Sequence, residues 1–189
     1  MFPCAYFPDV GLLLLLSVYP TDLSGWDVSN ALDFSLMFAN CTVFNQDLSQ
    51  WNTESAVNFL GMFSRATVFD SDLSNWKTGD VLYLSFMFER TDRFAGKGLE
   101  DWDTSSAEKI HQMFFESKSF NGDLSSWDVS RVTDMSLSFA VTPEFSSDLS
   151  RWDVGLVEDF TFTFALASLF TSDLSQWNVS SATTLQGLL

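Results

Sequence analysis

The tryptophans of this chain recur at a constant interval. Successive tryptophans stand 25 residues apart, except for one step of 26 between the third and the fourth, and there are seven in all. They are Trp26, Trp51, Trp76, Trp102, Trp127, Trp152 and Trp177. Seven copies at one period indicate a stack of structural repeats in which each repeat contacts its neighbours. We therefore expect about seven repeats over residues 21–189.

Other apolar residues align when the tryptophan of each repeat is taken as position zero. Position −3 is leucine throughout, position +2 is valine or threonine, and positions +12 and +18 are phenylalanine in the six complete repeats. Positions 0 and +2 lie between polar neighbours, which is the period of a half-buried strand. The apolar positions +5, +8, +11 and +12 have the spacing of a helix with one apolar stripe. The sequence thus predicts an α/β solenoid with one short strand and one short helix per repeat.

Several stretches carry the repeat in its fullest form: FNQDLSQWN at 44–52, FNGDLSSWDVSRVTDM at 120–135 and SSDLSRWDV at 146–154. This motif resembles the 25-residue repeat of the BspA-like surface proteins, which also occurs in mycoplasma lipoproteins and in diatom repeat proteins. Its Leu-x-x-Trp-x-Val-x-x-Ala core is similar to the spacing of leucine-rich repeats. The resemblance implies a leucine-rich-repeat-like solenoid that usually lies on a cell surface and acts in adhesion or protein–protein contact. It implies no catalytic residues.

The fourth repeat departs from this motif. One extra residue precedes its tryptophan, and the segment reads Gly98-Leu99-Glu100-Asp101-Trp102 where other repeats have Asp-Leu-Ser-x-Trp. We expect a local distortion of the solenoid near residues 95–100.

The composition excludes several classes of function. The chain has 25 aspartate and glutamate residues against 9 lysine and arginine residues, for a formal net charge of −16. Such a charge repels nucleic acid and anionic membrane surfaces. Two cysteines and one histidine, His111, leave little material for a zinc cluster or a catalytic triad. We expect a protein that is not an enzyme and that uses no cofactor.

The two ends of the chain do not follow the repeat cleanly. Residues 1–20 carry the apolar run Val10–Val18, which is either a signal-peptide core or, as we favour, a degenerate repeat that caps the stack. The run is too short for a membrane span, and no lysine or arginine precedes it. At the other end, Leu188 and Leu189 stop in mid-repeat. The alternative function that this suggests is a structural protein assembling end to end.

Positions −1 and +1 predict a candidate binding face, because they flank the buried tryptophan on the exposed side of the expected strand. This face is polar and acidic and suits a basic or hydroxyl-rich partner, either a protein or a glycan. A solvated face that only confers solubility fits the pattern equally well, since no exposed aromatic residue supplies a binding hot spot. The residues are Asp27, Asn52, Lys77, Asp103, Asp128, Asp153, Asn178, Gln50, Asn75 and Arg151.

A row of aspartates at position −4 has two interpretations. Stacked carboxylates could bind divalent cations such as Ca²⁺ between repeats. Alternatively, each could accept backbone N–H groups in the turn before the tryptophan, which we favour because one aspartate per repeat supplies few ligands. The row comprises Asp22, Asp47, Asp72, Asp123, Asp148 and Asp173. The tryptophans themselves are expected in the core, with each indole N–H bound to a backbone carbonyl or to a side chain of an adjacent repeat.

Overall fold

The computed structural model describes residues 22–189, so both interpretations of the Val10–Val18 run lie outside the described residues. In the described part, the chain winds into a stack of similar coils, one for each repeat. Isolated parallel bridges join position +7 of each repeat to position +7 of the next. The bridges connect, in turn, Asp33, Asn58, Tyr83, Lys109, Asp134, Asp159 and Thr184. The stacking that the tryptophan interval predicts is therefore present in the structure.

The predicted strand and helix of each repeat do not form in residues 22–189. The only regular helix there is the three-residue 3-10 helix Leu99–Asp101, and the bridges are single-residue pairs outside any continuous strand. The prediction of an α/β, leucine-rich-repeat-like solenoid is therefore wrong. Position +7, where the coils pair, even lies in the segment that the apolar spacing assigned to the helix. No helix in this part of the chain is long and apolar enough to cross a membrane.

Left-handed backbone conformations explain why the apolar spacing does not produce a helix. Positions +10 and +14 have φ between 52° and 62° in each repeat where the chain reaches them. A residue with positive φ interrupts a right-handed helix, and here one occurs every few residues. The residues are Leu36, Asn40, Gly61, Arg65, Phe86, Arg90, Gln112, Glu116, Leu137, Val141, Phe162, Leu166 and Gly187.

Backbone hydrogen bonds alternate between turns within a coil and contacts between coils. In the third repeat, the N–H groups of Leu84, Phe86 and Phe88 donate to carbonyls of the fourth repeat at 3.2, 2.9 and 2.9 Å. Those of Met87 and Glu89 donate to carbonyls three residues earlier in their own coil, at 3.2 and 3.1 Å. The same alternation recurs from the first repeat to the sixth. Each coil is thus a run of β-turns whose free backbone groups pair with the next coil.

The core consists of three columns of aromatic rings that run along the stack. Neighbouring tryptophan rings from Trp51 to Trp177 lie 6.2–6.5 Å apart and are parallel within 5°. The phenylalanines at +12 and +18 form the other two columns, and within a repeat their ring centroids are 3.8–4.4 Å apart. The leucines at −3 from Leu23 to Leu149 and the four methionines at +11 are buried beside them. Residues at the same position of successive repeats pack on one another, because each coil has the geometry of the coil before it.

The extra residue of the fourth repeat is accommodated locally. Gly96 and Gly98 take φ of 101° and 90°, and the Leu99–Asp101 helix follows directly. A Cβ atom on Gly98 would lie 2.2 Å from the backbone nitrogen of Ser74, so only glycine fits there. Trp102 nevertheless keeps its place in the tryptophan column, 6.3 Å from Trp76. The predicted distortion near residues 95–100 is confirmed, and it does not interrupt the core.

Candidate binding face and polar groove

The six aspartates at position −4 each close a turn. Oδ1 of each carboxylate accepts a hydrogen bond from the backbone N–H of the serine two residues later, at 2.9–3.0 Å. This geometry is an Asx turn, so the turn interpretation of the aspartate row is confirmed. Within residues 22–189, no group of three or more histidine, cysteine, aspartate or glutamate side chains is placed to hold a metal ion.

These hydrogen bonds also favour the ionised form of the aspartates at position −4. Hydrogen bonds from the serine two residues later lower the pKa of five of the aspartates. Asp72 has a further partner, because Lys97 Nζ lies 2.7 Å from its Oδ2. The hydrogen-bonded Lys97, together with Ser74, lowers the pKa of Asp72 to about 2. The irregular segment of the fourth repeat thus supplies a cation to the aspartate of the repeat before it.

The tryptophans pack in the core and do not form a ligand-binding surface. From Trp51 onward, each indole is buried, and its N–H donates to the carbonyl of the leucine at −3 in the preceding repeat. The six hydrogen bonds measure 2.8–3.3 Å. The predicted backbone partner for the indole N–H is confirmed. These bonds join each coil to the one before it inside the core.

All ten residues of the predicted binding face have exposed side chains, but they lie on turns, because residues 22–189 contain no strand to carry them. Six of the seven residues at +1 are aspartate or asparagine, and each accepts a backbone N–H two residues later at 2.9–3.2 Å. Lys77 is the exception at this position. The face therefore has fixed acceptor groups, because the turns restrict the side chains that carry them.

A third row of Asx turns was not predicted from the sequence. At position +7, the side chains of Asp33, Asn58, Asp134 and Asp159 accept the N–H of the residue two places later, at 2.7–3.0 Å. The signal in the sequence is an aspartate or asparagine that is followed, in most copies, by serine or threonine two residues later. It was obscured because the same segment has the apolar spacing of a helix.

The stack also forms a polar groove between the fifth and sixth repeats, which was not predicted from the sequence. The groove has a volume of about 600 Å³. Of the ten face residues, only Arg151 lines it; the other lining residues lie within segments 121–126 and 146–148. Its polar side chains include Asn121, Asp123, Ser126, Ser146, Asp148 and Arg151.

Two stretches of the chain, residues 15–98 and 83–189, match the family model described as "Mycoplasma protein of unknown function, DUF285". The chain belongs to the DUF285 family. Comparison with curated proteins found no significant match, and comparison with solved structures found none either. The family assignment agrees with the mycoplasma part of the resemblance in the sequence, and it establishes a repeat module. The leucine-rich-repeat part is contradicted by the coil geometry.

Most cations of the DUF285 array pair with carboxylates of a neighbouring repeat. Arg90 binds Glu116 through two nitrogens at 2.9 and 3.0 Å, and Lys118 lies 3.0 Å from Asp92. In contrast, Lys77 and Arg151 of the predicted face form no ion pair within 4.0 Å with any carboxylate of residues 22–189. These two are therefore the positive groups of the face that a partner can reach.

Proposed function

We propose that this DUF285 array is a non-enzymatic recognition module of the cell surface or the extracellular space. In this proposal it binds a partner through the exposed residues at positions −1 and +1. The observation that carries the proposal is that all ten side chains are exposed at two fixed positions of the stacked coils. Stacked repeats present extended surfaces of this kind to partners. The acidic side chains favour a partner with basic or hydroxyl groups.

The surroundings of the single histidine support a non-enzymatic role. Gln112 Nε2 lies 3.0 Å from His111 Nε2, and His111 Nδ1 lies 2.6 Å from Ser136 Oγ. An amide nitrogen only donates, so His111 Nε2 accepts and Nδ1 carries the proton that is donated to Ser136. Ser136 in turn donates to Asp134 Oδ1 at 2.5 Å. A histidine that donates to a serine does not activate it as a nucleophile, and this chain of bonds is a structural network.

The proposal is tested by removing charge from the face without breaking its turns. The triple variant D103N, D128N and D153N keeps three Asx acceptors, because asparagine also accepts through Oδ1. D22N, D47N and D173N remove the same charge from the −4 row and serve as the matched control. Binding to immobilised extracellular proteins should be saturable and should weaken roughly fivefold or more in the face variant alone. Absence of saturable binding, or equal loss in both variants, would contradict the proposal.

Self-association is the second candidate function. Leu166 and Leu189 are 76% and 80% exposed, and Leu169 is 52% exposed nearby. Leu166 and Leu189 line a shallow apolar pocket of about 250 Å³ together with Phe164 and Phe170. Light scattering across a concentration series separates the candidates. A recognition module should remain a monomer, whereas end-to-end assembly should increase in mass with concentration and lose this behaviour in L166S.

A further inference from the structure

The polar groove between the fifth and sixth repeats combines fixed acceptors with free donors. Asp123 and Asp148 supply the acceptors. Oδ1 of Asp123 accepts the N–H of Ser125 at 3.0 Å, and Oδ1 of Asp148 accepts the N–H of Ser150 at 3.0 Å. The hydroxyls of Ser147 and Ser172, which come from the next repeat in each case, also donate to Oδ1. Oδ2 of each is thus left to accept a hydrogen bond from a ligand.

The donors come from two other side chains. Asn121 Oδ1 accepts the N–H and the hydroxyl of Ser146 at 2.9 and 3.2 Å, which fixes the amide and leaves its NH₂ group available to donate. Arg151 lines the same groove; its charge lowers the pKa of Asp148, but its guanidinium nitrogens form no ion pair within 4.0 Å with a carboxylate of residues 22–189. A guanidinium offers five N–H donors in a planar fork.

Arg151 is also an exception to the repeat. The other residues at position −1 are glycine, glutamine, asparagine, aspartate or serine, so no other repeat has a cation there. The corresponding site between the second and third repeats, at Asp47 and Asp72, has a different arrangement of charges. There Asp72 is bound by Lys97 Nζ at 2.7 Å, and the neutral Asn75 occupies position −1. Two carboxylates and a guanidinium in one groove therefore distinguish it from that site.

The charges of the groove select among classes of ligand. An anionic ligand is repelled by Asp123, by Asp148 and by the net charge of −16. A cationic ligand is repelled by Arg151, which lines the same groove and interacts with Asp148. A neutral polyol satisfies both groups at once, because each hydroxyl donates to a carboxylate and accepts from the guanidinium or the amide.

We infer that this groove is a binding site for a neutral, hydroxyl-rich saccharide. Asp123 and Asp148 accept from its hydroxyls, and Asn121 and Arg151 donate to them. The inference rests on the proposed recognition function and adds to it a location and a ligand class.

The test uses the full chain and two matched pairs of variants. R151Q replaces the groove arginine by glutamine, the residue that two other repeats have at position −1 as Gln50 and Gln176. R131Q removes an exposed arginine that does not line the groove. D148N keeps its Asx turn and removes one groove carboxylate, and D173N makes the same change one repeat away. All four substitutions are on the surface, so circular dichroism should show folded protein in each case.

The probes are neutral trisaccharides of glucose, galactose, mannose and N-acetylglucosamine, titrated into the isotope-labelled chain and followed by NMR. We expect at least one of them to shift the resonances of Asn121, Asp123 and Arg151. R151Q and D148N should weaken its affinity roughly tenfold or more, whereas R131Q and D173N should retain it. Sulfated and sialylated trisaccharides and a lysine-rich peptide are measured alongside.

Three results would overturn the inference. The first is that no neutral trisaccharide binds. The second is that binding occurs but the groove variants and their controls weaken it equally. The third is that an anionic sugar or the lysine-rich peptide binds in the groove in place of the neutral sugars. If saccharides fail while the extracellular proteins still bind through the face, the groove assignment is wrong and the recognition function stands; if both fail, both are wrong.

Discussion

At the scale of single residues, short polar side chains determine how the backbone turns. Aspartate or asparagine closes a turn at positions −4, +1 and +7, so many of the carboxylates that give the chain its charge also hold its coils. The turns of the −4 row were predicted from the sequence, because one aspartate per repeat supplies too few ligands for a metal site. The +7 row was not, because a helical apolar pattern surrounds it. The acidic composition is thus in large part a structural feature.

The first prediction concerns pH. The pKa of Asp72 falls from 3.8 in a free side chain to about 2 in the folded protein, and those of several other turn aspartates are also lowered. A depressed pKa stabilises the fold above the unfolded value, and this stabilisation is lost as the pH falls through the folded value. The free energy of unfolding should therefore decrease between about pH 4 and about pH 2.

Urea unfolding at a series of pH values measures this effect. D72N and K97Q should each reduce the slope, because the first removes the carboxylate and the second removes the main cause of its low pKa. An unchanged slope in both variants would contradict the assignment of Asp72.

The second prediction concerns the indole hydrogen bond. W127F removes the donor that binds the carbonyl of Leu99 at 2.8 Å and leaves a void beside Trp102 and Trp152. We expect the free energy of unfolding to fall by about 2–3 kcal/mol, from the unsatisfied carbonyl and the lost packing. S126A, which removes one exposed hydrogen bond to the carbonyl of Glu100, is the control and should cost about 0.5 kcal/mol or less. Equal losses in the two variants would show that the indole N–H contributes nothing specific.

At the scale of the repeat, the element is a coil of turns rather than a strand and a helix. The apolar positions +8, +11 and +12 were correctly expected to face the core, since residues such as Ile110, Met113 and Phe114 are buried. The prediction that a helix brings them there was wrong. A series of turns places the same residues on one side of the segment, so the apolar spacing does not distinguish the two conformations. The choice depends on hydrogen bonds to the next coil, which a single repeat does not contain.

The third prediction concerns the irregular turn of the fourth repeat. G98A should destabilise the protein by about 3 kcal/mol or more, because the new Cβ would lie 2.2 Å from the nitrogen of Ser74 at a φ of 90°. G25A is the matched control, since a Cβ at Gly25 meets nothing within 4 Å, and it should be nearly neutral. Thermal unfolding of the two variants measures the difference. A stable G98A protein would mean that this segment adopts another path.

At the scale of the whole molecule, the described coils share one continuous core. Each aromatic column passes through successive repeats, and the Trp76–Trp102 contact continues it across the one irregular step. A contact between neighbouring repeats is therefore the unit of stability, and loss of one coil exposes the faces of two others.

The fourth prediction concerns the spectroscopic signature of this architecture. Far-ultraviolet circular dichroism should lack the double minimum of an α-helix, because the helix in residues 22–189 has three residues. The parallel tryptophans, 6.2–6.5 Å apart, should give an exciton-coupled signal that disappears on unfolding. W127F should reduce that signal by dividing the column. A strongly helical spectrum would contradict the coil geometry and favour the strand-and-helix repeat.

The sequence by itself determined the period of this protein, the register of its repeats and the residues that form its core. Those properties depend on which side chains are apolar, and the apolar side chains recur at fixed intervals along the chain. The tertiary structure decided the backbone conformation, because positions +10 and +14 are left-handed in residues as different as Leu36, Arg65 and Gln112. No local preference is common to them, so bonds between coils impose the conformation. The structure alone also joined Asp123, Asp148 and Arg151 into one groove, since only stacking brings residues 25 positions apart into contact.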